Sequence, residues 1–127
     1  LLIDSPAGIE DGFHRAASCA EEALLVTTPH ISALRDADRV AGILGSYRFS
    51  FVGLVVNLVR RDRRRRELLS PEEISATLRL PLVGTLSEEE RIFSENIVPR
   101  LRGFRSLADA VLRMQGGARK NAQGRRP

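Results

Sequence analysis

The 127-residue chain has no Trp, one Tyr, one Met and one Cys, and none of its apolar runs approaches the roughly 18 residues that a membrane span requires. Each scarcity excludes something. With five Phe and one Tyr as its only aromatic residues, the chain is short of the flat rings on which single-stranded nucleic acid stacks. Cys19 alone closes no internal disulfide and holds no metal cluster, which points to a reducing compartment and to a small buried apolar residue in a helix. The first residues lack the basic n-region of a signal peptide, so the expected location is cytoplasmic. His14 and His30 have no second His, Cys or acid at metal-ligand spacing, and are expected on a helix surface and in a loop.

What is present is ordinary for one soluble globular domain: 43% hydrophobic and 28% charged residues. The formal charge of +4 is unevenly distributed. Residues 1–59 carry −3, residues 60–66 carry +5, residues 67–99 carry −5 and residues 100–127 carry +7. The basic character therefore lies in one segment, "RRDRRRR", and in the tail. The segment reads as a solvated loop, with contact to phosphate lipid or nucleic acid as the alternative.

Three apolar runs, "ALLVTT" (23–28), "FVGLVV" (51–56) and "LVGTL" (82–86), lack alternation, as strands buried on both faces do. Helix-like sequence separates them. "SALRDADRVAGILG" offers Ser32 as N-cap, gathers Leu34, Ala37, Val40, Ala41 and Leu44 on one face, and puts Arg35, Asp38 and Arg39 opposite. "SPEEISATLRL" offers Ser70 as N-cap, Pro71 at the first helical position and Glu73 to close a capping box. Strands recurring about every 30 residues with a helix between them are βαβ units, so the sheet is expected to be parallel with right-handed crossovers. A short helix over Phe13, Ala16, Ala17 and Ala20 precedes the first run, and a helix with Leu101, Phe104, Leu107, Ala108 and Val111 on one face follows the last. Residues 1–115 read as the folded part. Residues 116–127, which contain no bulky apolar side chain, read as a disordered basic tail.

At the N-terminus, "LLIDSPAGIEDG" feeds an apolar run into Asp4 and then a turn containing Gly8. An acid closing a strand reaches Mg²⁺ through water, and a glycine turn brings a backbone N–H close to a phosphate. The alternative is an ordinary strand-to-helix turn. Asn57, ending "VGLVVN", has an amide able both to donate and to accept along an adenine edge, or to end the strand by bonding its own backbone.

Read in order, "DSPAGIEDGF", "VTTPHISALRDADRV" and "VVN" resemble the C-terminal half of the MinD family, septum site-determining ATPases of the MinD and ParA group with a deviant Walker A loop. The resemblance covers roughly residues 1–92. It implies a partial P-loop-NTPase-like, Rossmann-like α/β fold: a mostly parallel sheet flanked by helices, with the N-terminal half missing. It also implies that Asp4 is the Walker B acid serving Mg²⁺, that Pro6, Ala7 and Gly8 form the switch II turn sensing the terminal phosphate, and that Asn57 reads adenine. Ser32, Arg35, Asp36 and Asp38 match the surface contacted by the activator MinE and the effector MinC. Arg35 with Asp38, and Asp36 with Arg39, are also i,i+3 pairs of an ordinary solvated helix.

Complete members of the family bind ATP and Mg²⁺, dimerise, and position the division septum, at the inner face of the cell membrane. This chain has no Gly-rich phosphate loop with its lysines and no acidic switch I segment, so catalysis by it alone is not expected. Leu58 stands where the family usually has Arg, Ser87 where Pro is common, and the stretch between Ile92 and Phe104 is short, keeping Asn96 and Pro99 of the family pattern. The tail has Arg119, Lys120, Arg125 and Arg126 but no apolar face, which implies weak, salt-sensitive attraction to anionic lipid without insertion, and no specific nucleic-acid site. The alternatives are a ParA-like or flagellar-number ATPase fragment, or a truncated, non-catalytic interaction module.

Overall fold

The computed structural model describes residues 1–6, 8–60, 68–88 and 102–123. Helix α1 (Asp11–Ser18), strand β1 (Glu22–Thr27), helix α2 (Ile31–Leu44), strand β2 (Phe51–Val59), helix α3 (Pro71–Leu78), strand β3 (Leu82–Ser87) and helix α4 (Arg102–Gln123) follow in chain order. The three apolar runs form the expected strands, parallel and in the order β1-β2-β3.

The absence of alternation in β2 has its cause in the packing on both sides. Leu54 and Val56 face α2 and α3 and pack with Ala37, Ile74 and Leu78, while Val55 between them is buried as well. Burying side chains of this size contributes roughly 1.5–3 kcal/mol each. Gly53 permits the close approach of neighbouring strands, since a Cβ there would lie 2.5 Å from Val83 Cγ2 and 3.1 Å from Leu24 Cδ2. On β3, α4 packs with Leu107 over Gly84. The half-buried positions among residues 103–113 are Gly103, Phe104, Leu107, Ala110 and Val111, so Ala110 rather than the expected Ala108 is turned inward, and Leu101 lies outside the described residues.

A second cluster joins α1 to α2 through Phe13, Ala17 and Leu44, with Tyr47, Phe49 and Val52 packed against it. The His14 Nδ1 and the Tyr47 hydroxyl share a hydrogen bond at its rim, and the Tyr47 and Phe49 rings lie 5.7 Å apart.

Helix starts follow local chemistry in one case and long-range contact in the other. At α3 the capping box forms as expected. Ser70 Oγ accepts from the Glu73 N–H at 3.1 Å, and Glu73 Oε2 accepts from the Ser70 N–H at 2.7 Å. At α2 the N-cap is His30, without a side-chain cap, and Ser32 lies inside the first turn rather than capping it. The reason is a tie from outside the helix. His30 bridges to Leu68, and the Leu69 N–H donates to the Pro29 carbonyl at 2.9 Å, which sets the chain's direction before Ser32 is reached.

Three other expectations are corrected. Residues 1–6 form no strand, and Leu1, Leu2 and Ile3 are exposed. Three apolar residues and an acid become a strand only by pairing their N–H and C=O groups with a neighbour, and β1 pairs with β2 alone. Cys19 is exposed rather than buried, because α1 ends at Ser18 and leaves Cys19 as its C-cap. Helical backbone also continues past Gln115 as far as Gln123, carried by Ala118, Arg119, Lys120, Ala122 and Gln123, all good helix formers extending an existing helix. Residues 124–127 of the expected tail lie outside the described residues.

Candidate functional site

Because the three strands are parallel, their carboxyl ends share one edge of the sheet, which brings together Thr28 after β1, Asn57 near the end of β2 and Ser87 at the end of β3. The starts of α2 and α3 lie at the same edge, joined by the contacts of Pro29 and His30 with Leu68 and Leu69. Ligands of open α/β sheets gather at such an edge. A cleft of about 240 Å³ opens there, lined by Pro29, Val59, Arg60, Leu69, Ser70 and Pro71 among others.

Asn57 is half-buried, and its Oδ1 accepts the Leu58 backbone N–H at 2.8 Å. The strand-ending bond open to Asn57 from sequence is therefore formed, and it engages the oxygen while leaving the amide nitrogen as donor. Leu58 has left-handed backbone, φ 57°. Just beyond, Arg60 Nε lies 2.7 Å from Glu88 Oε2, an ion pair between the ends of β2 and β3. The remainder of the basic segment, residues 61–66, lies outside the described residues.

The N-terminal candidates lie outside the three strands. Asp4 is exposed and forms no ion pair among the described residues, in place of the expected strand-end position. Pro6 packs on α1, where a Cβ at Gly12 would lie 2.7 Å from Pro6 Cγ. Gly8 has φ 92° with open space around the missing Cβ, so conformation rather than room demands glycine there. Ala7, Asn96 and Pro99 lie outside the described residues. On α2, Ser32, Arg35, Asp36 and Asp38 are all exposed, as a partner surface requires, and no ion pair links Arg35 to Asp38 or Asp36 to Arg39 among the described residues.

Comparison with known proteins places this geometry. No family model matches the chain. The MinD protein of Guillardia theta, named a putative septum site-determining protein, is 45% identical over 117 residues, 91% of this chain and 42% of that protein. Its counterpart from Nephroselmis olivacea is 38% identical over 126 residues, 98% of this chain and 44% of that protein. The solved MinD cell division protein of Aquifex aeolicus superposes with a TM-score of 0.75 at 36% identity, over 89% of this chain and 51% of that one. The chain belongs to the MinD family.

This MinD-family chain spans less than half the length of the curated relatives it matches. Two further solved structures are similar to it: a MinC:MinD complex from Aquifex aeolicus, TM-score 0.74 at 33% identity over 89% of this chain and 50% of that one, and the septum site-determining protein MinD of Pyrococcus horikoshii complexed with Mg-ADP, TM-score 0.71 at 27% identity over the same shares. Sequence reasoning missed three features of the MinD-family edge: the left-handed Leu58, the Arg60–Glu88 pair and the tie from Pro29 to Leu69. None has a local signature, since the first is a backbone state and the others join segments far apart in the chain.

Proposed function

We propose that this chain is the C-terminal half of a MinD-like ATPase, with residues 1–115 as its share of the nucleotide-binding domain. In complete form that protein binds ATP with Mg²⁺, dimerises and positions the division septum. The observation that carries the reading is the common edge of Thr28, Asn57 and Ser87 in a chain similar to MinD over nearly its whole length. Asn57 contacts adenine, and Pro6, Ala7 and Gly8 sense the terminal phosphate. The left-handed Gly8 suits a backbone that must present an N–H to an oxygen.

Among the described residues no three His, Cys, Asp or Glu side chains converge to hold a metal ion. Asp4 offers Mg²⁺ a single hard carboxylate through water, which fits an ion whose other oxygen ligands come with the nucleotide's phosphates. The solved relative that carries Mg-ADP supports nucleotide and metal as a joint ligand of the complete protein.

The exposed face of α2 with Ser32, Arg35, Asp36 and Asp38 serves MinC and a MinE-like activator, a reading supported by the existence of a MinC:MinD complex among the similar structures. No helix among the described residues is long and apolar enough to cross a membrane. Attachment to the inner face of the cell membrane then rests on surface attraction between the basic C-terminal segment and anionic lipid.

The test is a chimera in which this chain replaces the matching half of Aquifex aeolicus MinD. Mg-ATP is expected to dimerise it and be hydrolysed, and Asp4→Ala is expected to lower turnover by about a hundredfold or more. A folded chimera that ignores Mg-ATP would refute the proposal. The chain alone, without a phosphate loop, is expected not to hydrolyse Mg-ATP.

A further inference from the structure

Two described non-glycine residues hold left-handed backbone, Arg79 at φ 54° and Leu58 at φ 57°. Arg79 closes α3, where a left-handed residue is a usual helix terminator. Leu58 lies within β2, and a left-handed residue inside a strand marks a bulge, at a place glycine normally takes. The register identifies Leu58 as the extra residue. Val56 and Val59 are three apart, yet their partners Thr85 and Ser87 are two apart. Side chains alternate along a strand, so without the insertion Val59 would face away from Val56. Instead both pack against the same cluster beneath α2 and α3.

Packing does not hold Leu58 in this state, because its side chain is 40% exposed. What meets its backbone is Asn57, whose Oδ1 accepts the Leu58 N–H released from the ladder. Among the described residues nothing accepts from the Asn57 Nδ2. Strain of this kind collects where a side chain must be aimed.

We propose that Leu58 is the positioning residue of the Asn57 amide. Its left-handed backbone turns the N–H onto Oδ1, fixes the amide plane, and leaves the Nδ2 hydrogens directed to an acceptor ring nitrogen of a purine. The remaining lone pair of Oδ1 is open to an exocyclic amine. This deepens, and rests on, the reading of Asn57 as the base-contacting residue.

The experiment follows the Asn57 side-chain amide resonances of the isotope-labelled 127-residue chain, assigned by their loss in Asn57→Asp, with adenosine as the probe. Leu58→Gly tolerates the left-handed state, and is expected to keep both the resonance positions and any adenosine-induced shift. Leu58→Val, β-branched and disfavoured there, is expected to move the Asn57 pair toward free-amide positions, to raise exchange of the residue-58 amide by about tenfold or more, and to abolish the adenosine response. Asn57→Ala removes the acceptor without touching Leu58, and is expected to raise the same exchange rate. Unchanged Asn57 resonances in Leu58→Val, or unchanged exchange in Asn57→Ala, would overturn the proposal. A wild-type chain indifferent to adenosine whose Asn57 pair still moves in Leu58→Val would uphold the positioning role and fail the base-contact reading instead.

Discussion

Leu54, Val55 and Val56 at the centre of β2 and Asn57, Leu58 and Val59 at its carboxyl end are successive residues of one strand held by different forces. The central three are at most 1% exposed and locked between two helices and two strands. A bulge interrupts the ladder at the terminal three, with one left-handed residue and one self-bonded amide, before Val59 pairs again with Ser87. Non-directional apolar packing fixes the first segment, whereas a few polar bonds and a strained backbone set the second. Stability is therefore expected to concentrate at the centre and ligand geometry at the end, and the contrast can be tested by substitution.

The largest effect is expected from Ile74→Ala. Ile74 is fully buried against Leu54 and Val56, so truncation removes transfer free energy and leaves a cavity, costing about 2–5 kcal/mol. The midpoint of urea denaturation would fall accordingly. A loss below about 1 kcal/mol would mean that the centre of β2 is not the stabilising core.

Ser70→Ala comes next, with an expected cost of about 1 kcal/mol, because one orphan N–H of α3 loses its acceptor. Thermal unfolding monitored by circular dichroism measures it. Ser70 lies at the carboxyl edge but belongs to a regular helix. A cost as large as that of Ile74→Ala would erase the distinction between centre and edge.

The same contrast separates what was legible in the sequence from what was not. The strands were readable because burial on both faces leaves its mark as unbroken apolar runs, and the start of α3 because its cap, its proline and its glutamate are all local. The N-cap of α2 was misread because a tie from Leu68 and Leu69, far along the chain, governs it. Asp4 was assigned to a strand on its apolar approach alone, without a pairing partner. The bulge was invisible for a further reason: "VVNLV" is apolar on both sides of Asn57, so a slip in alternation leaves no trace, and leucine does not advertise a positive φ. At the site, residue types were readable, but the bond that orients Asn57 was not.

Leu58→Gly should act in the opposite direction. Left-handed backbone costs an L-residue roughly 1–2 kcal/mol, and glycine returns about 0.5–1 kcal/mol of that through its greater freedom when unfolded. A net gain of up to about 1 kcal/mol in chemical denaturation is expected. Destabilisation would mean that the exposed Leu58 side chain stabilises the strand end, which would make the end more like the centre.

The smallest effect concerns the ion pair between the ends of β2 and β3. Arg60 Nε and Glu88 Oε2 are 2.7 Å apart, but the two side chains are 47% and 38% exposed, so water screens their attraction and ordering two long side chains offsets part of it. The Glu88 N–H also donates to the Val59 carbonyl at 3.1 Å, a backbone bond that substitution of the side chain leaves in place. A double-mutant cycle of Arg60→Ala and Glu88→Gln is therefore expected to give a coupling of roughly 0.2–1 kcal/mol at low salt. It should vanish near half-molar salt, where the Debye length is only a few ångströms. A salt-resistant coupling above about 2 kcal/mol would show the carboxyl end to be electrostatically locked, and the strain at Leu58 would then be held by this pair as well as by Asn57.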